Sequence, residues 1–332
     1  MRAAVLVSPG EIRMQERPVP RPADDEVLVK VASVGVCGSD VHYYREGRIG
    51  DFVVNAPLIL GHEVSGRIVG VGADVPRERI GERVAIEPQR PCRVCGQCVA
   101  GRYNLCPNMA FYATPPVDGA FCEYVTIQAP FAHPVPDSIS DDVAALLEPL
   151  SVGIWASRKA NIVPGSRVLI AGAGPIGAIA TQAALSFGAS EVIVSDPVAA
   201  RREMVARLGA TLTLDPATDR VEDLGVDAFI DCSGVTAAVR SGIRAVRGAG
   251  TVVLVGMGED DMPLPIPVIQ SRELIVTGVF RYTDTWPVAA HLAATKRVDL
   301  ASLITGRFTL DEAAQALDAD RVPGALKAMV TT

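Results

Sequence analysis

The sequence predicts an α/β protein built from two different parts, and two observations support this. In roughly the first 150 residues, short runs rich in valine and isoleucine are separated by proline and glycine, a pattern typical of β-rich structure. From Gly165 onward, apolar runs alternate with longer helical patterns, which indicates a doubly wound parallel sheet. The chain has 332 residues, about twice the length of a typical domain, and so has room for both parts.

The predicted strands fall into two groups. The β-rich part contains Ala3–Val7, Val27–Val31, Ser65–Val71 and Arg83–Ile86. The strands of the parallel sheet are predicted at Arg167–Ala171, Glu191–Ser195, Thr211–Leu214, Val226–Asp231, Thr251–Val255 and Leu274–Val279. Six strands joined by helical crossovers form a complete doubly wound sheet.

The C-terminal region is predicted to return to the first part. We expect one helix over Trp286–Val298 and a second after Thr309, where Glu312 completes the spacing of a capping box. A last strand is expected near Lys327–Val330. The predicted domains are therefore residues 1–150, 151–285 and a return segment 286–332.

Charge and composition exclude several functions. The chain has 31 basic and 38 acidic side chains, a net charge of −7, and no cluster of lysine and arginine of the kind that nucleic-acid binding requires. Met1–Gly10 is too short an apolar segment for a signal peptide, so we expect a cytoplasmic protein with no membrane partner. Its seven cysteines should then stay reduced and be available for metal binding or catalysis.

A glycine-rich turn after the first strand of the parallel sheet indicates a dinucleotide site. Gly172, Gly174 and Gly177 have the G-x-G-x-x-G spacing, with Pro175 and Ile176 between them, and an alanine-rich helical run follows. Asp196 lies nineteen residues past Gly177, at the end of the next strand, where a carboxylate binds ribose hydroxyls and repels a 2′-phosphate. The pattern favours NAD. Arg201 and Arg202 leave NADP open, and a turn that serves only helix–strand packing remains the alternative reading.

Four closely spaced cysteines predict a structural metal site in a lobe at about residues 88–110. Cys92, Cys95, Cys98 and Cys106 lie within fifteen residues, among prolines and glycines. Four thiolates form a closed tetrahedral zinc site with no position left for a substrate. An iron–sulfur cluster or unrelated buried cysteines are the alternatives.

A second set of possible ligands is dispersed along the chain. Cys37, His62, Glu63 and Glu148 supply one thiolate, one imidazole and two carboxylates, a donor set that suits a catalytic zinc with an open position. Their spacing alone does not decide this. Cys37 could equally be a small buried apolar residue, and Glu148 a charge in the first turn of a helix.

Longer motifs resemble the zinc-containing medium-chain dehydrogenase/reductase superfamily. Its zinc signature is matched by Gly61-His62-Glu63, followed by Gly66, Gly72 and Val75. Further stretches resemble the branch of the sorbitol (L-iditol 2-) and xylitol dehydrogenases: Cys37–Tyr44, Gly47–Val54, Ala113–Pro116 with Asp118 and Gly119, Glu148–Gly153, and Gly278–Tyr282 with Thr285–Pro287. The resemblance spans the whole chain, although the complete four-cysteine lobe is a feature that some sorbitol dehydrogenases have lost.

The resemblance implies a fold and a set of site residues. A GroES-like β-rich catalytic domain would join a Rossmann domain, with the active site in the cleft between them and a tetramer or dimer as the assembly. Cys37, His62 and Glu63 would bind the catalytic zinc, and Glu148 would bind it directly or through water. The implied substrate contacts are Tyr43, Phe111, Arg281 and Tyr282. The implied cofactor contacts, beyond the glycine-rich turn, are Ile176, Asp196, Arg201, Val255, Gly256, Met257, Phe280 and Arg281.

The predicted reaction is the reversible oxidation of a secondary hydroxyl of a polyol to a ketose, with hydride transfer to NAD. The hydroxyl proton would leave through Glu148 or, by a second route, through Ser39 and His42; we favour Glu148. A zinc dehydrogenase for threonine, butanediol or simple secondary alcohols is the nearest alternative. A cofactor-binding protein without catalysis is a more distant one, because it would not need Cys37, His62 and Glu63 together.

Overall fold

The computed structural model describes residues 1–259, 261–322 and 324–332. The chain forms two compact units. The first, unit 1, comprises Met1–Glu148, Trp286–Ala294 and Leu300–Thr332. The second, unit 2, comprises Pro149–Thr285 and Thr295–Asp299.

The strands of the described residues are numbered along the chain. They are β1 (Arg2–Ser8), β2 (Glu11–Glu16), β3 (Glu26–Gly35), β4 (Arg48–Ile49), β5 (Phe52–Val53), β6 (Leu58–Ile59), β7 (Glu63–Val71), β8 (Arg83–Ile86), β9 (Gln89–Arg90), β10 (Ala110–Phe111), β11 (Tyr124–Gln128), β12 (Ala132–Pro134), β13 (Arg167–Ala171), β14 (Glu191–Ser195), β15 (Leu212–Leu214), β16 (Val226–Asp231), β17 (Val246–Leu254), β18 (Ile275–Gly278), β19 (Ile304–Thr309) and β20 (Lys327–Thr331).

The helices are numbered in the same way. They are α1 (Gly38–Glu46), α2 (Gly96–Val99), α3 (Asp141–Ala145), α4 (Leu147–Lys159), α5 (Pro175–Ser186), α6 (Ala199–Arg207), α7 (Thr236–Ala245), α8 (Ile266–Ser271), α9 (Trp286–Ala294) and α10 (Ala313–Leu317). Short 3₁₀ turns occupy Arg77–Arg79, Tyr103–Leu105, Ala129–Phe131, Ala301–Leu303, Leu310–Glu312 and Ala319–Arg321.

The largest sheet of unit 1 has the order β12-β8-β7-β3-β20-β19, and β11 also pairs with β3. In its central strand β3, the apolar residues Val27, Val29 and Val31 are almost fully buried, and the residues between them are more exposed. Strand β20 pairs antiparallel with β3 and parallel with β19. The chain end thereby reaches the centre of the unit 1 sheet.

The sheet of unit 2 is parallel throughout and has the order β15-β14-β13-β16-β17-β18. Numbered within the sheet this is 3-2-1-4-5-6, the order of dinucleotide-binding sheets. The predicted doubly wound sheet is confirmed. Its strands are apolar on both faces because helices cover both sides, as Val168–Ile170 and Val192–Val194 illustrate, with exposures of 0%.

Several predicted boundaries differ from the structure, and two of the larger differences have a visible physical reason. The helix predicted to reach Val298 ends at Ala294, because Lys296 adopts a φ of 57°, a left-handed conformation that terminates helices. The strand predicted to begin at Thr251 begins at Val246. Its first residues include the exposed Arg247, Gly248 and Ala249, which carry no apolar signal.

The C-terminal capping box is present as predicted. Thr309 and Glu312 exchange the two hydrogen bonds of the motif, and a 3₁₀ turn then leads into α10. Among the described residues, no helix combines the length and the continuous apolar character that crossing a lipid bilayer requires.

Candidate functional site

The first candidate site lies where β3 and β7 pair at the end of the unit 1 sheet. Gly35, the last residue of β3, pairs with Glu63, the first residue of β7. Cys37 follows as the N-cap of α1, and His62 directly precedes β7. The antiparallel register thus brings a cysteine, a histidine and a glutamate from distant parts of the sequence to one end of the sheet.

Cys37, His62 and Glu63 form a group able to hold a metal ion. One sulfur, one nitrogen and one oxygen lie within 4.8 Å of one another, and His62 and Glu63 are buried. The Oε2 atom of Glu63 is buried and has no hydrogen-bond partner, although a buried carboxylate oxygen is costly to leave unpaired. Bound zinc would satisfy that oxygen. Three protein ligands of these types also match a catalytic zinc, which keeps a fourth position open.

Asp40 fixes the orientation of the cysteine and the histidine. Its Oδ2 accepts a hydrogen bond of 3.0 Å from the Cys37 amide, and its Oδ1 accepts one of 2.9 Å from the Gly61 amide. The Nδ1 atom of His62 lies 3.6 Å from Asp40 Oδ1, which leaves Nε2 for a metal. A carboxylate behind a ligating histidine sets the tautomer and the ring orientation in this way.

Acidic neighbours act on the His62 imidazole. Burial alone would lower the pKa of His62, but Asp40 and Cys37 outweigh it and raise that pKa well above its usual value. Burial would raise the pKa of Asp40, yet His62 and the two backbone amides lower it overall. A negative potential at a buried imidazole is also what attracts a divalent cation.

Lys327, the first residue of β20, enters the same region from the C-terminal end of the chain. Its Nζ donates to Glu63 Oε1 at 2.5 Å and to the carbonyl of Val36 at 2.7 Å. Burial opposes the charged form of this lysine, but Glu63 and Cys37 outweigh that effect and raise its pKa.

Glu148 lies at the start of α4 and is 5% exposed. It is not part of the group whose ligand atoms lie within 4.8 Å of one another. It is nevertheless close enough to Lys327 to favour that lysine's charged form. Its place as a buried carboxylate beside the group suits a proton acceptor as well as a ligand.

The four-cysteine lobe forms a second group able to hold a metal. The Sγ atoms of Cys92 and Cys98 are 4.0 Å apart, and those of Cys95 and Cys106 are 3.9 Å apart. A tetrahedral site with Zn–S bonds of about 2.3 Å has S···S separations of about 3.8 Å. Backbone amides point at the sulfurs, and those of Val94 and Cys95 lower the pKa of Cys92 to about 6, which favours the thiolate that zinc binds.

Unit 2 contains a cavity of about 440 Å³ at the carboxyl ends of its strands. Gly172, Gly174, Asp196 and Arg201 line it, as do Ser195 and Cys232. Gly174 caps α5 and Pro175 is its first residue, so the helix begins at the cavity and presents its free amides there. Burial raises the pKa of the Cys232 thiol, which therefore stays protonated.

The third glycine of the turn has a packing role. A Cβ atom on Gly177 would lie 1.8 Å from the carbonyl oxygen of Gly172, so no larger residue fits there. Asp196 is 3% exposed, and its two carboxylate oxygens accept hydrogen bonds of 2.7 Å from the amides of Ala173 and Val198. The aspartate thus holds the turn against the end of β14.

The remaining predicted cofactor and substrate positions of unit 2 lie beyond β17 and β18, except Ile176, which belongs to α5. The amides of Val255 and Gly256 donate to the Asp231 carbonyl at 2.9 Å, and Met257 is exposed. Ile176 is partly exposed in the first turn of α5. After β18, the Arg281 guanidinium lies 4.7 Å from the ring centre of half-exposed Phe280, while Tyr282 is fully buried.

Four further predicted residues belong to unit 1. Ser39, His42 and Tyr43 lie on α1, the helix that Cys37 caps. His42 is exposed on one side and has Nδ1 3.2 Å from Glu46 Oε1, whereas Tyr43 is buried. Phe111 is buried with its ring centre 5.5 Å from that of His62, so it lies against the first candidate site.

The sequence analysis missed the supporting roles of Asp40, Lys327 and Gly35. Asp40 was visible only as part of the Cys37 motif. A lysine inside the apolar run Leu326–Val330 was a usable signal, because lysine is almost never buried unless it is paired. The identity of its partner depends on strand register, which the sequence alone does not provide.

Comparison with known proteins gives consistent matches. Residues 23–137 match the model of the alcohol dehydrogenase GroES-like domain, and residues 175–295 match that of the zinc-binding dehydrogenases. The chain is 41% identical to sorbitol dehydrogenase of Gallus gallus over 338 residues, covering 99% of this chain and 95% of the relative. It is 42% identical to sorbitol dehydrogenase of Bacillus subtilis (strain 168) over 327 residues, covering 96% and 93%.

A solved structure shows the same fold. A protein described as a zinc-binding dehydrogenase of Sinorhizobium meliloti 1021, bound to NADP, superposes with a TM-score of 0.92 at 33% identity. The match covers 100% of this chain and 99% of that one.

Proposed function

The chain belongs to the zinc-binding dehydrogenases, the family of the sorbitol dehydrogenases, and from this we propose that it is an NAD-linked polyol dehydrogenase. It would oxidise one secondary hydroxyl of a sorbitol- or xylitol-like polyol to the ketose. The observation that carries the proposal is the close group of Cys37 with the buried His62 and Glu63, in a chain that resembles sorbitol dehydrogenases from end to end.

Cys37, His62 and Glu63 would hold the catalytic zinc, and the four cysteines of the lobe a structural one. When bound, the catalytic zinc would supply the Lewis acidity that lowers the pKa of the substrate hydroxyl. Asp40 faces Nδ1 of His62, which would leave Nε2 for the metal. The lobe has no open position and would take no part in the chemistry.

Glu148 is the proposed proton acceptor. It is buried, and a carboxylate in such a place can take up the hydroxyl proton while the hydride leaves the carbon. The route through Ser39 and His42 is less favoured, because the side chain of His42 is 47% exposed and its Nδ1 faces Glu46.

The proposed cofactor site is the unit 2 cavity, with the pyrophosphate at the start of α5 and the adenosine ribose at Asp196. A buried carboxylate at the end of β14 disfavours a 2′-phosphate, which supports NAD over NADP. Arg201 lines the same cavity, so weaker use of NADP is part of the proposal. Val255, Gly256, Met257 and Phe280 are proposed to contact the nicotinamide half.

Tyr43, Phe111, Arg281 and Tyr282 are the proposed substrate contacts. A polyol presents several hydroxyls, each of which needs a hydrogen-bond partner once water is excluded. Arg281 and the two tyrosines supply donors and acceptors, while Phe111 supplies an apolar wall beside His62.

The proposal includes a homo-oligomer in a reducing, cytoplasmic location. β18 is the last strand of the unit 2 sheet, and its first residue Ile275 is 61% exposed. An exposed apolar edge strand is a natural place for the same strand of a second copy to pair across a two-fold axis. The reducing location would protect the thiolates of both zinc sites.

A substrate panel tests the function. Zinc-loaded protein is assayed with NAD and with NADP against sorbitol, xylitol, L-iditol, galactitol, ribitol, L-threonine, 2,3-butanediol and 2-propanol, by the absorbance of the reduced cofactor. We expect the highest kcat/KM with a polyol and NAD. Turnover confined to threonine or to simple alcohols would overturn the polyol proposal and keep the zinc chemistry.

A further inference from the structure

Lys327 occupies an unusual position. Among residues 1–259, 261–322 and 324–332, it is the only lysine or arginine that is buried, with 2% exposure. Its two hydrogen bonds go to Glu63 Oε1 and to the Val36 carbonyl. One ammonium group therefore contacts a proposed zinc ligand and the peptide group immediately before another, Cys37.

The carboxylate of Glu63 is confined from its other side by Gly35. A Cβ atom on Gly35 would lie 2.0 Å from Glu63 Oε2, so the carboxylate packs against the bare Cα of that residue. Glu63 itself is 1% exposed. With Oε1 held by Lys327 and Oε2 against Gly35, the side chain has little freedom to adopt another rotamer.

Backbone hydrogen bonds hold the segment that carries Lys327. The Val36 amide donates to the Ala328 carbonyl at 2.9 Å, and Met329 pairs with Gly35. The start of β20 is thus joined to the end of β3 by backbone pairing at the two residues that directly follow the lysine. Such a fixed donor can hold a ligand in place before the metal arrives.

We propose that Lys327 is the positioning residue of the catalytic zinc site, holding Glu63 and the Val36–Cys37 peptide in the metal-binding arrangement. This rests on the proposed function, in which Glu63 is a zinc ligand. Ligand support of this kind typically changes metal affinity by about 10- to 100-fold.

The charge of Lys327 and its proposed positioning role predict opposite effects of its removal on zinc affinity. A positive charge beside the ligands repels a divalent cation, so by charge alone its loss would tighten zinc binding. Loss of positioning would weaken zinc binding, because Glu63 and the peptide before Cys37 would have to be ordered when the metal binds. The direction of the change therefore identifies the role.

The experiment measures zinc release to a chromophoric chelator from the full-length, zinc-loaded chain. Lys327→Met is compared with the wild type and with Lys30→Met, which removes an exposed lysine from the same β3-centred sheet. Glu63→Gln identifies the kinetic phase of the catalytic zinc, and the four-cysteine zinc in every sample is the internal reference. We expect Lys327→Met to bind one zinc about 10- to 100-fold more weakly, with the other zinc and Lys30→Met unchanged.

Each other result has a defined meaning. Unchanged or tighter binding of that zinc in Lys327→Met overturns the positioning role. If Lys327→Met does not fold, Lys327→Arg replaces it: the charge is kept and the donor geometry altered, so weakened binding supports positioning and wild-type binding refutes it. If Glu63→Gln keeps both zincs at the wild-type affinity, the ligand set of the proposed function fails instead.

Discussion

Replacing Asp196 with alanine should destabilise unit 2 as well as alter cofactor choice. From the motif alone, loss of this carboxylate would be expected only to relax discrimination against NADP. In the structure, the same carboxylate accepts the amides of Ala173 and Val198 at 2.7 Å and is buried. The substitution therefore leaves one buried amide, that of Ala173, and one partly buried amide, that of Val198, without their charged acceptor.

The expected loss in the free energy of unfolding follows from those two hydrogen bonds. A hydrogen bond to a charged group contributes about 1.5 to 3 kcal/mol, so two contribute about 3 to 6 kcal/mol, and we expect the lower end because water can reach the amide of half-exposed Val198. This is a large share of the 5 to 15 kcal/mol by which domains are typically stable. For a domain of this size the apparent Tm should fall by on the order of 10 °C. Asp196→Asn keeps one acceptor oxygen and should lose about half as much.

The assay is thermal and urea unfolding followed by far-ultraviolet circular dichroism, with and without NAD. Glu203→Ala is the matched control, because it removes an exposed carboxylate from α6 near the same strand end and should change stability by no more than about 0.5 kcal/mol. We expect the wild type to be the most stable, Asp196→Asn to be intermediate and Asp196→Ala to be the least stable. The affinity for NAD should fall in the same order. Asp196→Ala with wild-type stability would refute the role of the two bonds.

Three further predictions concern unit 1 and the substrate. Glu148→Gln should bind NAD normally and lose about 10²-fold or more in kcat, and a near-normal kcat would exclude Glu148 as the proton acceptor. Arg281→Ala should raise KM for a polyol far more than for 2-propanol; equal losses on both substrates would contradict its role in polyol binding. Glu87→Gln should destabilise unit 1 by about 1 to 3 kcal/mol in urea, because the buried carboxylate accepts from Tyr103 and Gln89 and pairs with His133; an unchanged midpoint would count against this network.

The parallel sheet was predictable because the apolar sequence of each of its strands indicates that the strand is buried. Runs such as Arg167–Ala171 and Glu191–Ser195 are nearly continuous in apolar residues, and turn-forming residues follow them, the glycine-rich turn after the first and Asp196-Pro197 after the second. The strand Glu11–Glu16 has no such signal. It is polar and partly exposed, and it is a strand because it pairs with β1 in an edge hairpin. Its sequence pattern alone does not predict it.

The candidate metal groups show the same division. The four cysteines of the lobe lie within fifteen residues, so spacing alone indicated that they could meet around one ion. For Cys37, His62 and Glu63, spacing left the question open and the resemblance supplied the grouping. The structure adds the physical reason, which is the pairing of Gly35 with Glu63 across β3 and β7.

The supporting residues are the hardest to predict, because their partners lie far away in sequence. Glu63 and Lys327 are separated by 264 residues, yet their contact follows from the register of two strand pairs that share β3. A shift of one residue in the pairing of β20 with β3 would move Lys327 to the opposite face of the sheet and leave Glu63 as an uncompensated buried charge. The requirement to neutralise that charge therefore favours the observed register of β20. The register of the sheet places Lys327 at Glu63, and the charge of Glu63 in turn stabilises that register.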